Sequence, residues 1–149
     1  MKLKYKKMHP AAQEPFLGSL HAGGFDLHTV SAVTVKPMQP ALLPTGVAVE
    51  IPQGHIGLLA LRSSAPKKKG LFSPHGMGII DADYRGEVFV QVCALTEEVV
   101  VKAGERIAQL VIVPARSIAA GNTIITGTEE VEELSDTSRG AGGFGSSGH

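Results

Sequence analysis

Cysteine is almost missing from this chain: one residue, Cys93, in 149. A single thiol excludes an internal disulfide, which points to a reducing compartment and removes any argument for secretion. Cys93 itself reads as a small core residue. An excess of one charge is missing too. Fourteen Lys and Arg balance fourteen Asp and Glu, so the overall field gives no reason to expect nucleic acid or an anionic membrane as a partner. A small anionic ligand stays open, because it needs only local positive charge. Long apolar runs are absent: residues 57–61 and 110–114 are the longest, far below the ~18–20 residues that span a bilayer. The basic start, MKLKYKKM, runs into HPAAQEPF rather than an apolar stretch, so it lacks the middle region of a signal peptide. A soluble, cytoplasmic protein is expected. The six histidines form no pair at a metal-ligand spacing, and neither CxxC nor GxSxG occurs, which leaves zinc and serine-hydrolase chemistry without support.

What the chain does have is punctuation. Eighteen Gly and nine Pro are scattered between apolar segments, the pattern of many turns joining short strands. Residues 3–8 alternate apolar or aromatic side chains with Lys, which predicts a half-exposed strand whose lysines guard an edge. Strands are predicted at 25–35, 46–51, 55–61, 87–95, 99–101 and 107–113, all rich in Val, Ile and Leu. PQG at 52–54, PHG at 74–76 and KAG at 102–104 are turn signals. Only SAPKKKG, 64–70, suits a helical turn or two. No strand and helix alternation implies a parallel sheet. The expectation is one all-β domain over 1–128, a sandwich or barrel, followed at 129–149 by an acidic bridge and a glycine-rich arm.

Four segments carry polar side chains that a core does not need. GGFDL, 23–27, holds Asp26 between Phe25 and Leu27. LRSSA, 61–65, delivers Arg62, Ser63 and Ser64 at a strand end, a set suited to phosphate oxygens. GIIDADYRGEV, 78–88, packs Asp81, Asp83, Tyr84 and Arg85 at a turn between strands. The arm, RGAGGFGSSGH, spaces Arg139 and Phe144 among glycines. Gly140, Gly142 and Gly145 match GxGxxG, but a dinucleotide site needs a strand before it and a helix after it. Glycines ending in Ser146 and Ser147 can still wrap phosphate through their backbone N–H groups.

Taken in order, GGFDL, LRSSA, GIIDADYRGEV, GERIAQL and RGAGGFGSSG resemble the five motifs of the trimeric dUTPase family, from residue 23 to 148. The resemblance implies a distorted, jelly-roll-like β-barrel, a homotrimer with shared active sites, and hydrolysis of dUTP to dUMP and pyrophosphate. It implies Asp81 as the general base on the attacking water, a role worth ~10²–10⁴-fold. Tyr84 is implied as the ring under the deoxyribose, refusing a 2′-hydroxyl. The uracil is then held by hairpin backbone from His75 through Gly78 to Ile80. Asp26 corresponds to the acid that holds Mg²⁺ through water, Arg62, Ser63 and Ser64 to phosphate contacts, and Gln109 to a glutamine near the phosphates. Arg106 corresponds to a residue that ties motifs together. In the arm, Phe144 and Gly145 lie at the uracil, and Arg139, Ser146 and Ser147 close over the β and γ phosphates as a flexible lid.

Three positions depart from the family pattern: His75 where bacterial members often carry Asn, Ser64 in place of a glycine, and Ala94 in place of an asparagine. The Arg-Ser-Ser string also resembles dCTP deaminase, a relative of the same fold. That enzyme needs a glutamate where this chain has Gln91, and an amide cannot exchange the proton. A nucleotide-responsive binding module that signals to a regulatory protein partner is the non-enzymatic alternative.

Overall fold

A computed structural model describes residues 2–115, 129–133, 135 and 137. Its elements run β1 (Lys4–Lys7), β2 (Phe25–His28), β3 (Val33–Val35), β4 (Ala41–Glu50), β5 (His55–Leu61), α1 (Ser64–Lys69), β6 (Leu71–Phe72), β7 (Gly78–Ile80), β8 (Glu87–Ala94), β9 (Val99–Val101) and β10 (Arg106–Pro114). One antiparallel sheet has the order β1-β4-β8-β6, a second β2-β10-β5-β7, and β3 pairs with β9 in a small ribbon. The architecture is all-β and jelly-roll-like, with one short helix among the described residues.

Alternation explains how the sheets close on each other. In β8, Val88, Val90 and Val92 point inward and are buried, while Phe89 between them is exposed. Leu43, Val47 and Val49 of β4 join them, and Leu27, Leu59, Ala108 and Leu110 meet them from the second sheet. Cys93 is buried and unpaired, as expected of a core thiol. The three turn signals fall where they should: Gly54, Gly76 and Gly104 have φ of 75°, 74° and 79°, a region open to glycine at no steric cost. SAPKKKG forms α1, ended by Gly70 in the left-handed conformation.

Several boundaries differ from the sequence expectation. The run 25–35 is two strands in two sheets, since the chain leaves β2 at Thr29, whose N–H and hydroxyl bond to Glu105 and Lys102 carbonyls instead of to a ladder. β4 begins at Ala41 rather than 46. β1 is exposed at all four positions rather than at alternate ones, because it adds only an edge to β4. No helix among the described residues is long and apolar enough to cross a membrane. The chain divides into two compact units, 1–116 and 117–149. Residues 129–133 and 135 are exposed.

Candidate active site

The turn between β7 and β8 builds a concave surface. Leu59, His75, Gly78, Ile79, Ile80, Asp81, Tyr84, Glu87, Val88, Phe89 and Gln91 line a cavity of about 350 Å³. β7 pairs with β5, Gly78 opposite Leu59 and Ile80 opposite Gly57, so buried Ile80 anchors the strand whose next residue is Asp81. The turn then closes through the Tyr84 N–H, which donates to the Asp81 carbonyl at 3.2 Å. Asp81 and Tyr84 are consequently exposed side chains on a fixed frame. Arg85 braces that frame, donating from Nη1 to the carbonyls of Ala82 at 2.7 Å and Tyr84 at 2.9 Å. His75 stands at the other wall. Its Nδ1 lies 3.2 Å from Ser73 Oγ, and its Nε2 sits where a Cβ on Gly78 would come within 3.4 Å. The tighter neighbour is Leu59 Cβ on β5, 3.3 Å from the same point.

A second cluster gathers around Asp26. Gln109 is its direct cross-strand partner on β10, and Gln109 Nε2 donates to Asp26 Oδ1 at 3.1 Å. The register of β10 on β2 slips between Arg106 and Ala108. A bulge re-aims a side chain, and here Arg106 reaches Asp26 Oδ2 at 3.4 Å. Its guanidinium also lies 5.9 Å from the centre of the Phe16 ring, within cation–π range. Arg62 Nε lies 3.4 Å from Asp26 Oδ1. Asp26 is only 5% exposed, so one buried carboxylate is shared by two half-exposed cations. The surplus of positive charge faces outward, which suits an anion. Ser63 is exposed just beyond Arg62, at the start of α1, and makes no capping bond with its side chain.

The sequence-predicted residues thus fall into two sets. Asp81, Tyr84, His75, Gly78 and Ile80 share the cavity; Asp26, Arg62, Arg106 and Gln109 share the cluster, with Ser63 and Ser64 next to it. The cavity lining contains none of the second set. Arg139, Phe144, Gly145, Ser146 and Ser147 lie outside the described residues. Two participants escaped the sequence reading. Glu87 lines the cavity, which a glutamate at a strand start does not advertise. His28 follows Asp26 on β2 with a buried Nδ1 that has no partner among the described residues. Burial first, and then the Arg106 and Arg62 charges, hold its imidazole below the ordinary value against the opposing pull of Asp26. Gln91, the amide that the sequence reading sets against a deaminase, lines the cavity as well.

Comparison with known proteins supplies the family. The dUTPase family model matches residues 12–148. Proteins named deoxyuridine 5′-triphosphate nucleotidohydrolase from Hydrogenobaculum sp. and Nautilia profundicola are 41% and 44% identical over 150 and 149 residues, covering 99% of both chains in each pair. The mitochondrial protein of that name from Homo sapiens is 38% identical, covering 99% of this chain and 55% of its own length. Among solved structures, the dUTPase of Staphylococcus bacteriophage 80alpha with dUpNHpp has a TM-score of 0.84 at 29% identity over 99% of both chains. That of phage phi11, described with a structural Mg(II) ion, has a TM-score of 0.75 at 25% identity over 90% of this chain and 99% of its own. Motif order, fold and end-to-end relatives agree, and the chain belongs to the dUTPase family.

Proposed function

We propose that this chain hydrolyses dUTP to dUMP and pyrophosphate, water attacking the α-phosphorus, and thereby keeps uracil out of DNA and supplies a thymidylate precursor in the cytoplasm. The observation that carries the reading is the turn from β7 to β8, which crosses from one sheet to the other. It presents the Asp81 carboxylate, the Tyr84 ring and the backbone of Gly78–Ile80 around a single cavity. Uracil pairs with the backbone of Gly78–Ile80, the deoxyribose lies against Tyr84, and Asp81 faces the α-phosphorus. Asp81 orients the water and takes its proton. A 2′-hydroxyl collides with the Tyr84 ring, so ribonucleotides are refused. Arg62, Ser63, Ser64 and Gln109 hold the phosphates, where fixed donors stabilise the charge that develops on the phosphoryl oxygens. Residues 129–149 form the arm, in which Arg139, Phe144, Gly145, Ser146 and Ser147 close the site and exclude water.

The donor set bears on Mg²⁺. Both oxygens of Asp26 are engaged by Arg62, Arg106 and Gln109, and no group of three metal-ligating side chains converges among the described residues. A resident ion caged by protein does not fit; a hydrated ion that arrives on the substrate's phosphates does, since Mg²⁺ keeps several waters and takes phosphate oxygens. Asp26 then acts through water only. When bound, the ion neutralises phosphate charge and shapes the triphosphate.

Because the cavity and the Asp26 cluster belong to separate sets of residues, the same proposal includes a homotrimer whose sites combine the β7–β8 turn of one copy with the phosphate cluster of another. Incubation with dUTP, dCTP, dTTP and UTP plus Mg²⁺, identifying every product, tests the reading: dUMP and pyrophosphate from dUTP alone are expected. Ammonia from dCTP would overturn it. Asp81→Asn should lower kcat by about 10²–10⁴-fold while dUTP still binds; turnover near the wild-type rate removes the general-base assignment.

A further inference from the structure

Glu87 is the first residue of β8, and it holds two partners that belong to different parts of the molecule. Its main-chain carbonyl accepts a hydrogen bond of 2.9 Å from the Tyr84 phenol. Its carboxylate Oε1 accepts one of 2.7 Å from the backbone N–H of Gly46. Gly46 lies in the middle of β4, where the ladder to β8 is interrupted: Pro44 pairs with Phe89 and Ala48 with Glu87, so Thr45, Gly46 and Val47 all face Val88. A bulge leaves ladder groups without partners. Two side chains supply them here. Thr45 Oγ1 donates to the Val88 carbonyl at 2.6 Å, and Glu87 takes the Gly46 N–H. Gly46 adopts φ of 65°, and a Cβ there would lie 2.7 Å from Val30 Cγ1 and 2.9 Å from His9 Cβ. The bulge is therefore a rigid point, wedged against the chain before β2 and the loop after it.

At the other end, the Tyr84 ring folds back over Gly86. A Cβ on Gly86 would lie within 2.6 Å of Tyr84 Cζ and closer still to its hydroxyl oxygen. The ring has room only because that residue is glycine, and the phenol reaches the Glu87 carbonyl only because the ring lies there. Tyr84 is 44% exposed, so packing alone does not fix its plane.

We propose that Glu87 is a positioning residue for sugar selection: its carboxylate fastens the start of β8 to the Gly46 bulge, and its carbonyl, so fastened, tethers the Tyr84 phenol and sets the plane of the ring against which the sugar lies. This rests on the assignment of Tyr84 as the deoxyribose platform. A tethered ring rejects a 2′-hydroxyl because it cannot yield; a free one swings aside and admits it. Glu87 touches no reacting atom and acts only through Tyr84.

The measurement is the ratio of kcat/KM for dUTP to that for UTP, with the same ratio taken from affinities for the non-hydrolysable α,β-imido analogues. Glu87→Ala should lower both ratios by about tenfold, the size of one lost hydrogen bond of ordinary strength. Glu87→Gln keeps an acceptor oxygen and should hold them within about twofold. Tyr84→Phe keeps the ring and removes the tether, so it should match Glu87→Ala, and adding Glu87→Ala to it should cause no further fall. A folded Glu87→Ala protein with the wild-type ratios overturns the proposal, as does Tyr84→Phe with wild-type ratios; if Glu87→Ala does not fold, Tyr84→Phe and Glu87→Gln decide. Should the wild-type chain prefer the deoxy analogue without cleaving dUTP, the function reading fails and the tether is still scored on binding. No sugar preference in the wild type overturns both.

Discussion

Asp26 neutralises two guanidiniums with one carboxylate, and its worth follows from that arithmetic. Replacing it with Asn leaves Arg62 and Arg106 facing each other with no acid between them, beside an imidazole that burial and those same charges already hold below its ordinary value. Full burial of such a pair would make the loss severe. Here the Arg62 and Arg106 side chains are 31% and 44% exposed, so solvent absorbs part of it and a cost of about 1–3 kcal/mol is expected. Urea unfolding of Asp26→Asn measures it; a change below about 0.5 kcal/mol, the ordinary size for surface sites, would show that the cluster does not hold β2 to β10. The sequence marked Asp26 because an acid between Phe25 and Leu27 is out of place in a strand. It could not show what the acid binds, since Arg106 and Gln109 lie more than 75 residues away along the chain and only the register of β10 on β2 brings them together.

Elements were legible where periodicity and turn chemistry agreed, as in β5, β8 and β9 and at Gly54, Gly76 and Gly104. They were not where the ladder is broken by side-chain bonds. Thr29 leaves β2 by bonding to the turn before β10, and the Thr45–Val47 bulge interrupts β4 at a place where Pro44 already hides the strand. That same turn carries a pH dependence. Glu105, at the end of the KAG turn, accepts from Lys69 of α1 at 2.8 Å and from the Lys102 N–H at 3.0 Å. Burial opposes its ionisation, but the Lys69 hydrogen bond, the Lys102 backbone bond and both lysine charges outweigh it and hold the carboxyl below 4.5. A carboxylate depressed on folding adds stability that is fully present above its unfolded value and is lost as pH falls through the folded one. Glu105→Gln should therefore lower stability at pH 7 by the ~0.2–1 kcal/mol of a partly exposed pair, read as a lower Tm, and narrow the gap to wild type as pH drops below about 4.5. A gap independent of pH would mean that the charge of Glu105 contributes nothing.

At the scale of the whole molecule, the motif order identified the family and implied a shared site, but only the fold sorts the motif residues into two sets. Asp81 and Tyr84 line the β7–β8 cavity, while Asp26 on β2, Gln109 opposite it on β10 and Arg62 just after β5 stand outside that lining. If a complete site needs the β7–β8 turn of one copy and the phosphate cluster of another, two dead proteins can restore it. Asp81→Asn keeps a good cluster and Arg62→Ala keeps a good β7–β8 turn. Co-refolded in equal amounts, random closed trimers contain the intact combination at about a quarter of their sites, by the counting that a cyclic head-to-tail interface imposes. The mixture should show about a quarter of wild-type kcat for dUTP, while each variant refolded alone stays near background. If the two sets belonged to one site within each chain, every site in the mixture would carry one lesion or the other and no mixture would recover. Activity in the mixture that stays at the mean of the two separate variants would therefore refute the shared site while leaving the reaction itself untouched.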